Sequence, residues 1–316
     1  MKHDLNKGIE TSMAHGEVKM NSGDTDFAAG SNAGQTAGHA HGGRRRKRIR
    51  PESIPLRKLI PNLMTAGALA AGLGSVHFAF GASQVLGTSA ADQSLKTLLF
   101  SKAVGCVAAA FVLDGLDGRT ARFLKVTSRF GEKFDSIADF TAFGVAPAFV
   151  LYFWQFRSEL PSPQLGLTVV VFYILCAAFR LARFTYQARK QMIGAPVSKF
   201  FQGMPAPASG AAVLIPVMLE LSDTVHWRAP VWLTAGYAVL LALFMISKLP
   251  MISIKGVRIN RALARPLMIV AGLITFGLIF DLWLTMSVLS GLYLATFPLG
   301  VLLHRNQKRA VTALTL

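Results

Sequence analysis

From Leu56 onward the chain is built of long apolar stretches separated by short polar ones. Eight stretches stand out, at about 62–82, 95–116, 134–156, 165–185, 205–222, 229–247, 266–283 and 285–303. Each approaches the ~20 residues an α-helix needs to cross a hydrocarbon core about 30 Å thick. In lipid a spanning segment must satisfy its own backbone groups, and stretches of this length do so as helices. The pattern predicts an all-α polytopic membrane protein with about eight transmembrane helices. Gly67, Gly72 and Gly74 dilute the first stretch, and the fifth is short. Small residues let helices pack closely in a bilayer, so these glycines need not end the first span.

The first fifty residues break the pattern. They are rich in Gly, Ala, Ser, Asn and His, nearly free of bulky apolar residues, and end in the basic run Arg44–Arg50. Such a stretch cannot bury enough surface to offset its ordering entropy, so residues 1–52 are expected to form a disordered basic tail. No apolar core follows the early charges as a secretory signal requires. Placed just before a span, the arginine run suits anionic headgroups better than nucleic acid, and no nucleic-acid partner is expected. His3, His15, His39 and His41 are too loosely spaced for a metal site.

Composition sharpens the class. Hydrophobic residues make up 52% of the 316 and charged residues only 16%, against about 25% charged in ordinary soluble domains. A soluble enzyme, a disordered protein and a secreted disulfide scaffold are excluded. Cys106 and Cys176 both lie inside apolar stretches, so no disulfide framework is implied. The net charge is +17, and its distribution carries topology. Basic residues crowd the N-terminal tail, the links after the second, fourth and sixth stretches, and the C-terminal tail. The intervening links hold few, among them Lys96, Arg157 and Arg228. Because Lys and Arg stay on the cytoplasmic side, both termini are expected to be cytoplasmic.

Four acids then stand where a membrane protein can least afford them. Eleven acidic residues follow position 50, and Asp114, Asp117, Asp135 and Asp139 fall within 26 positions. Asp114 and Asp117 close the second stretch at i, i+3; Asp135 and Asp139 open the third at i, i+4. Both spacings put the paired carboxylates on one helix face. A short link between antiparallel helices brings the two pairs together, where they repel unless protonated or bridged by cations. Hard oxygen ligands with neither Cys nor His among them suit Mg²⁺, Mn²⁺ or Ca²⁺ rather than Zn²⁺. Ionisable residues in spans are functional by default, which outweighs the bland reading of helix-end acids paired with nearby bases. Gly115 and Gly118 allow close backbone approach, and Arg122, one turn on, offers a planar fork for phosphate oxygens. Such a constellation suits phosphoryl displacement on a diphosphate ester.

Written out, the segment is Asp114-x2-Asp117-Gly118-x2-Ala121-Arg122-x8-Gly131-x3-Asp135-x3-Asp139. It resembles the signature of the CDP-alcohol phosphatidyltransferase family at every fixed position. The resemblance implies a polytopic enzyme that moves a phosphatidyl group from CDP-diacylglycerol to an alcohol, releases CMP, uses two divalent metal ions and is often a homodimer. It implies Asp114, Asp117, Asp135 and Asp139 as metal ligands, with Asp139 also the catalytic base. It assigns Gly118, Ala121 and Arg122 to the CDP-lipid, and Ser128 to a phosphate. Pro61-Asn62-x2-Thr65 is similar to the family's opening, which assigns Asn62 and Thr65 to the nucleotide. Ala68 stands where the family often has Asn.

The acceptor rests on further segments, Phe143-Gly144-Val145-Ala146-Pro147-Ala148, Arg180-Leu181-Ala182-Arg183-Phe184 and Phe201-x-Gly203-Met204-Pro205-x-Pro207-Ala208. These are similar to the serine-accepting bacterial branch and imply L-serine as acceptor. Arg180 and Arg183 are candidates to hold its carboxylate or to anchor the helix. Glycerol 3-phosphate and inositol phosphate are alternative acceptors that also want arginines there. Pro147, Pro205 and Pro207 are expected to kink spans or to start helices. The resulting division is a tail at 1–52, a catalytic membrane domain at 53–250, and two additional helices with a short basic tail at 251–316. An inner-membrane location follows, with membrane lipids around the chain and the site at the cytoplasmic face. An ion-coupled transporter would explain intramembrane acids. It predicts them at mid-bilayer with an internal repeat, and neither is evident.

Overall fold

A computed structural model describes residues 56–124, 128–192, 201–202, 204–247, 250–251 and 261–296. The chain separates into two units, Met1–Glu52 and Ser53–Leu316. The first unit, with its arginine run and histidines, lies outside the described residues, and so do Gly203 and the basic residues after Thr296.

The described residues are helical apart from a two-residue antiparallel pairing of Phe201–Gln202 with Pro250–Met251. In chain order the helices are α1 (Leu56–Gln84) and α2 (Ala90–Phe123), then α3 (Phe130–Glu159), α4 (Pro163–Met192), α5 (Ala206–Val213) and α6 (Ile215–Leu221). They are followed by α7 (Val231–Ile246), α8 (Arg261–Phe280) and α9 (Leu282–Thr296). Among the described residues, four segments are long and apolar enough to cross a membrane: Leu59–Gln84, Ala90–Phe123, Phe130–Glu159 and Pro163–Gln187. Val231–Ile246, Pro266–Phe280 and Leu282–Thr296 are shorter apolar helices. The fifth apolar stretch is not one helix. Pro216, in the first turn of α6, has no N–H to continue the ladder, and the chain turns at Leu214 between α5 and α6.

Small residues set the packing. A Cβ on Gly72 of α1 would sit 2.9 Å from the Cα of Ala142 in α3, and one on Gly210 of α5 would sit 3.0 Å from the Cα of Phe143. No bulkier residue fits either crossing, so the expected role of Gly72 holds. α1 and α2 run antiparallel, with Gly67 beside Leu113 and Gly74 beside Cys106. The core gathers around Phe143, Leu151, Phe156, Tyr173, Met204, Leu241 and Met245, all buried.

α3 contains two π-helical stretches, Phe140–Val145 and Tyr152–Phe156. In the first, the Ala146 N–H reaches back five residues to the Thr141 carbonyl. Pro147 has no N–H to offer, and loosening the turn before it accommodates the gap. Pro205 caps α5 and Pro207 lies in its first turn, so both start a helix rather than kink one.

The bundle's two ends differ in chemistry. At one, Arg157 donates to Ser83, Gln155 donates to Glu159 and to the Ala229 carbonyl, and Arg228 pairs with Glu159 and Glu220 while stacking on Trp154. Asp281, before α9, joins this end by accepting from Ser222 and Thr224. The aspartates occupy the other end.

Candidate active site

Local sequence places each acid. Asp114 and Asp117 come from the last three turns of α2. Ser128 caps the next helix, its hydroxyl accepting from the Gly131 N–H at 2.9 Å. That cap fixes where the helix begins and therefore which face carries Asp135 and Asp139. A Cβ at position 131 would lie 2.8 Å from Asn62 Oδ1 and 3.0 Å from Ser128 Oγ, so both side-chain tips would have to move aside. Gly131 thus lets the N-terminal part of α1, at Asn62, come close to the start of α3.

Asp114, Asp135 and Asp139 each offer a carboxylate oxygen within 4.8 Å of the others. Two oxygens on one ion are separated by at most twice the bond length, about 4.2 Å for Mg²⁺ and about 5 Å for Ca²⁺. At its widest the cluster suits the span of Ca²⁺, a small inward turn of the carboxylates would bring it to that of Mg²⁺, and its donors are all hard oxygens. Asp117 is held differently. It is buried, and Thr65 Oγ1, also buried, donates to its Oδ2 at 2.7 Å. It remains within electrostatic reach of Asp114 and Asp135. The structure thus gathers three of the expected acids into one set and stands the fourth beside them on a hydroxyl from α1.

The other expected residues divide by surroundings. Gly118, like Gly115, faces open space, with nothing within 4 Å of an added Cβ. Arg122 curls back and donates from Nε to the Gly118 carbonyl at 3.0 Å. Ala121 is half-buried on the same helix end. Arg180 Nε donates to the Met204 carbonyl at 2.6 Å, and the guanidinium lies within electrostatic reach of Asp139. A narrow cleft lined by Asp139, Phe143, Ala177, Arg180, Ala206 and Ser209 joins the two. Arg183 bonds instead to the carbonyls of Met245, Ile246 and Ser247, at the C-terminal end of α7. There a cation meets the negative end of the helix dipole. An open groove of about 450 Å³, lined by Phe140, Ala178, Leu181, Ala182, Thr185 and Tyr186, runs beside the cleft.

Two features were not legible beforehand. The Met204 carbonyl holds Arg180 because the turn before α5 reaches α4, and carbonyls carry no sequence signal. Thr65 was singled out for the nucleotide, but its bond to Asp117 spans 52 positions and depends on how α1 crosses α2.

A helical bundle with a carboxylate cluster at one end, opened by a glycine-lined helix face, defines a class of membrane enzyme acting on charged phosphoesters. The chain belongs to the CDP-alcohol phosphatidyltransferase family, whose match covers residues 58–246. Among curated proteins it is 31% identical over 244 residues to the CDP-diacylglycerol–serine O-phosphatidyltransferase of Mycobacterium leprae, covering 77% of this chain and 75% of that one. It is 34% identical over 239 residues to the protein of the same name from Helicobacter pylori, covering 75% and 88%. A third, from Methanocaldococcus jannaschii, is 43% identical over 86 residues, or 27% of this chain and 40% of that one.

Proposed function

We propose that this chain transfers the phosphatidyl group of CDP-diacylglycerol to the hydroxyl of L-serine, giving phosphatidylserine and CMP. The convergence of Asp114, Asp135 and Asp139 carries the reading. The relatives that align over three quarters of the chain support the choice of serine.

Asp114, Asp135 and Asp139, with Asp117 as the fourth ligand, would hold two divalent cations, Mg²⁺ or Mn²⁺, with Ca²⁺ the third candidate. Bound there, the ions neutralise the diphosphate and stabilise the charge that develops on the leaving phosphate. Asn62, Thr65, Gly118, Ala121 and Arg122 bind the CDP part, the open face at Gly118 admitting it and Arg122 swinging from its own helix to the diphosphate. Ser128 lies where a helix start presents N–H groups to a phosphate. Arg180 holds the serine carboxylate within reach of Asp139, while Arg183 anchors α4 to α7. Asp139 takes the proton of the serine hydroxyl. The serine oxygen then bonds to the β-phosphorus that bears diacylglycerol, the bond from that phosphorus to the bridging oxygen breaks, and CMP leaves with the oxygen. The groove beside Phe140 suits an acyl chain, keeping the lipid in the bilayer while the headgroup chemistry stays at its edge.

The same reading places the protein in the inner membrane as a homodimer, with eight spans, cytoplasmic termini and the acid end facing the cytosol. The tail at 1–52, the catalytic domain at 53–250 and the additional segment at 251–316 keep their expected roles. The test is CMP release by purified protein from CDP-diacylglycerol with L-serine, glycerol 3-phosphate or inositol phosphate offered in turn. Release with serine alone is expected. Release with another acceptor and none with serine overturns the acceptor, and no release with any of the three overturns the reaction.

A further inference from the structure

The family match ends at residue 246, yet the structure ties the segment beyond it to the site. α9 begins at Asp281, whose carboxylate accepts from the Leu284 N–H at 2.9 Å, from Ser222 Oγ at 2.6 Å and from Thr224 Oγ1 at 2.9 Å. Those partners hold the start of α9 on the side remote from the aspartates, so α9, like α2, runs toward the acid end. α9 and α2 therefore run in the same direction. Trp283 packs against Gly105 of α2, 3.9 Å from the place of its missing Cβ. Ten residues further along α9 is Tyr293, and nine beyond Gly105 is Asp114. At 1.5 Å per residue these are advances of about 15 Å and about 14 Å, so Tyr293 arrives at the depth of the acid cluster. It packs half-buried on the core. From there it lies within electrostatic reach of Arg180, the arginine beside Asp139. The α8 helix, by contrast, shows a largely exposed apolar surface from Leu267 to Phe280.

We propose that Tyr293 is a positioning residue of the acceptor pocket, its hydroxyl holding the Arg180 guanidinium in the orientation that receives the acceptor carboxylate. This rests on the serine-transfer reading and deepens it. A phenol is suited to the place, since its oxygen accepts from a guanidinium N–H while its O–H remains able to donate to a carboxylate oxygen. Asp281 and Trp283 then have a purpose in setting the depth of α9, because a slip of one turn moves the hydroxyl by about 5 Å. The segment beyond the family match thereby contributes to acceptor choice rather than serving as membrane anchorage alone.

The test compares wild type, Tyr293→Phe and Leu292→Ala, the last an exposed neighbour on the same helix, in CMP release with varied L-serine and varied CDP-diacylglycerol. Tyr293→Phe keeps the ring and should raise the KM for serine about ten-fold, the loss of one hydrogen bond to a charged group. Its kcat and its KM for CDP-diacylglycerol should stay within two-fold of wild type, and Leu292→Ala should match wild type throughout. An unchanged KM for serine in Tyr293→Phe overturns the proposal. An equal fall in activity toward both substrates, or the same loss in Leu292→Ala, overturns it as well, since helix packing then accounts for the effect. Wild type that releases no CMP with serine defeats the underlying reading instead, and that outcome is read without the variant.

Discussion

At the scale of single residues the site depends on what each carboxylate touches. Asp139 belongs to the carboxylate cluster and lies within electrostatic reach of Arg180, the place where the proposed mechanism puts the base. Asp139→Asn preserves shape and removes the proposed base, so turnover should fall by about 10²–10⁴-fold. CDP-diacylglycerol binding, measured by titration of the purified protein, should stay within a few-fold. Full activity in that variant removes Asp139 from the role. Thr65 offers a subtler case. Its hydroxyl, 2.7 Å from Asp117, occupies one oxygen of the proposed fourth ligand and fixes the carboxylate's angle. Partners of this kind are worth about 10–100-fold in metal affinity. Thr65→Val should weaken Mn²⁺ binding by about that factor, as read by the electron paramagnetic resonance of free Mn²⁺, and Thr65→Ser should restore it. Equal Mn²⁺ affinity in Thr65→Val and wild type would show that the bond positions nothing.

At the scale of elements, caps and prolines decide where helices begin. Ser128 starts α3 so that Asp135 and Asp139 share the inner face, and the spacing of those acids was readable because i, i+4 means one face in any helix. The π-helical stretch after Asp139 was not readable, since it arises from Pro147 combined with the pressure of Gly72 and Gly210 against Ala142 and Phe143. The division of the fifth stretch at Leu214 likewise escaped a hydropathy pattern that sees Pro216 only as one more small residue. Asp281 gives an element-scale prediction. Burial pushes its carboxyl up, but donation from Leu284, Ser222 and Thr224 outweighs this and holds its pKa at about 2. A depressed folded value means that the stabilisation is complete above the ordinary carboxylate range and is lost as pH falls toward about 2. Asp281→Ala should therefore lower stability at neutral pH by about 1–2 kcal/mol, the cost of a lost helix cap. Thermal unfolding in detergent should show wild type approaching the variant between pH 4 and pH 2. A gap that persists unchanged at the lowest pH contradicts the capping account.

At the scale of the whole molecule, the question is how the described bundle sits in a bilayer. The aspartate end and the Arg228–Glu159–Glu220 end lie at opposite termini of α1 and α2, so they should meet opposite faces of the membrane. With the aspartates in the cytosol, Leu86→Cys and Val225→Cys should react with an impermeant maleimide added to intact cells. Phe123→Cys should react only after permeabilisation, and Cys106 and Cys176, inside α2 and α4, should give little background. The reverse labelling pattern inverts the topology and puts the site on the wrong side for a soluble cytidine nucleotide.

The sequence by itself determined the all-helical membrane class, the facing acid pairs and the family, because hydropathy runs and i, i+3 or i+4 spacings are local properties of a chain. It could not decide which three acids draw their carboxylates together, that Thr65 attends the fourth, or that Arg183 serves α7 while Arg180 turns to the cleft. Most of those relations join residues some twenty to more than sixty positions apart. They are set by how closely glycines let the helices cross and by where caps fix each helix along its axis.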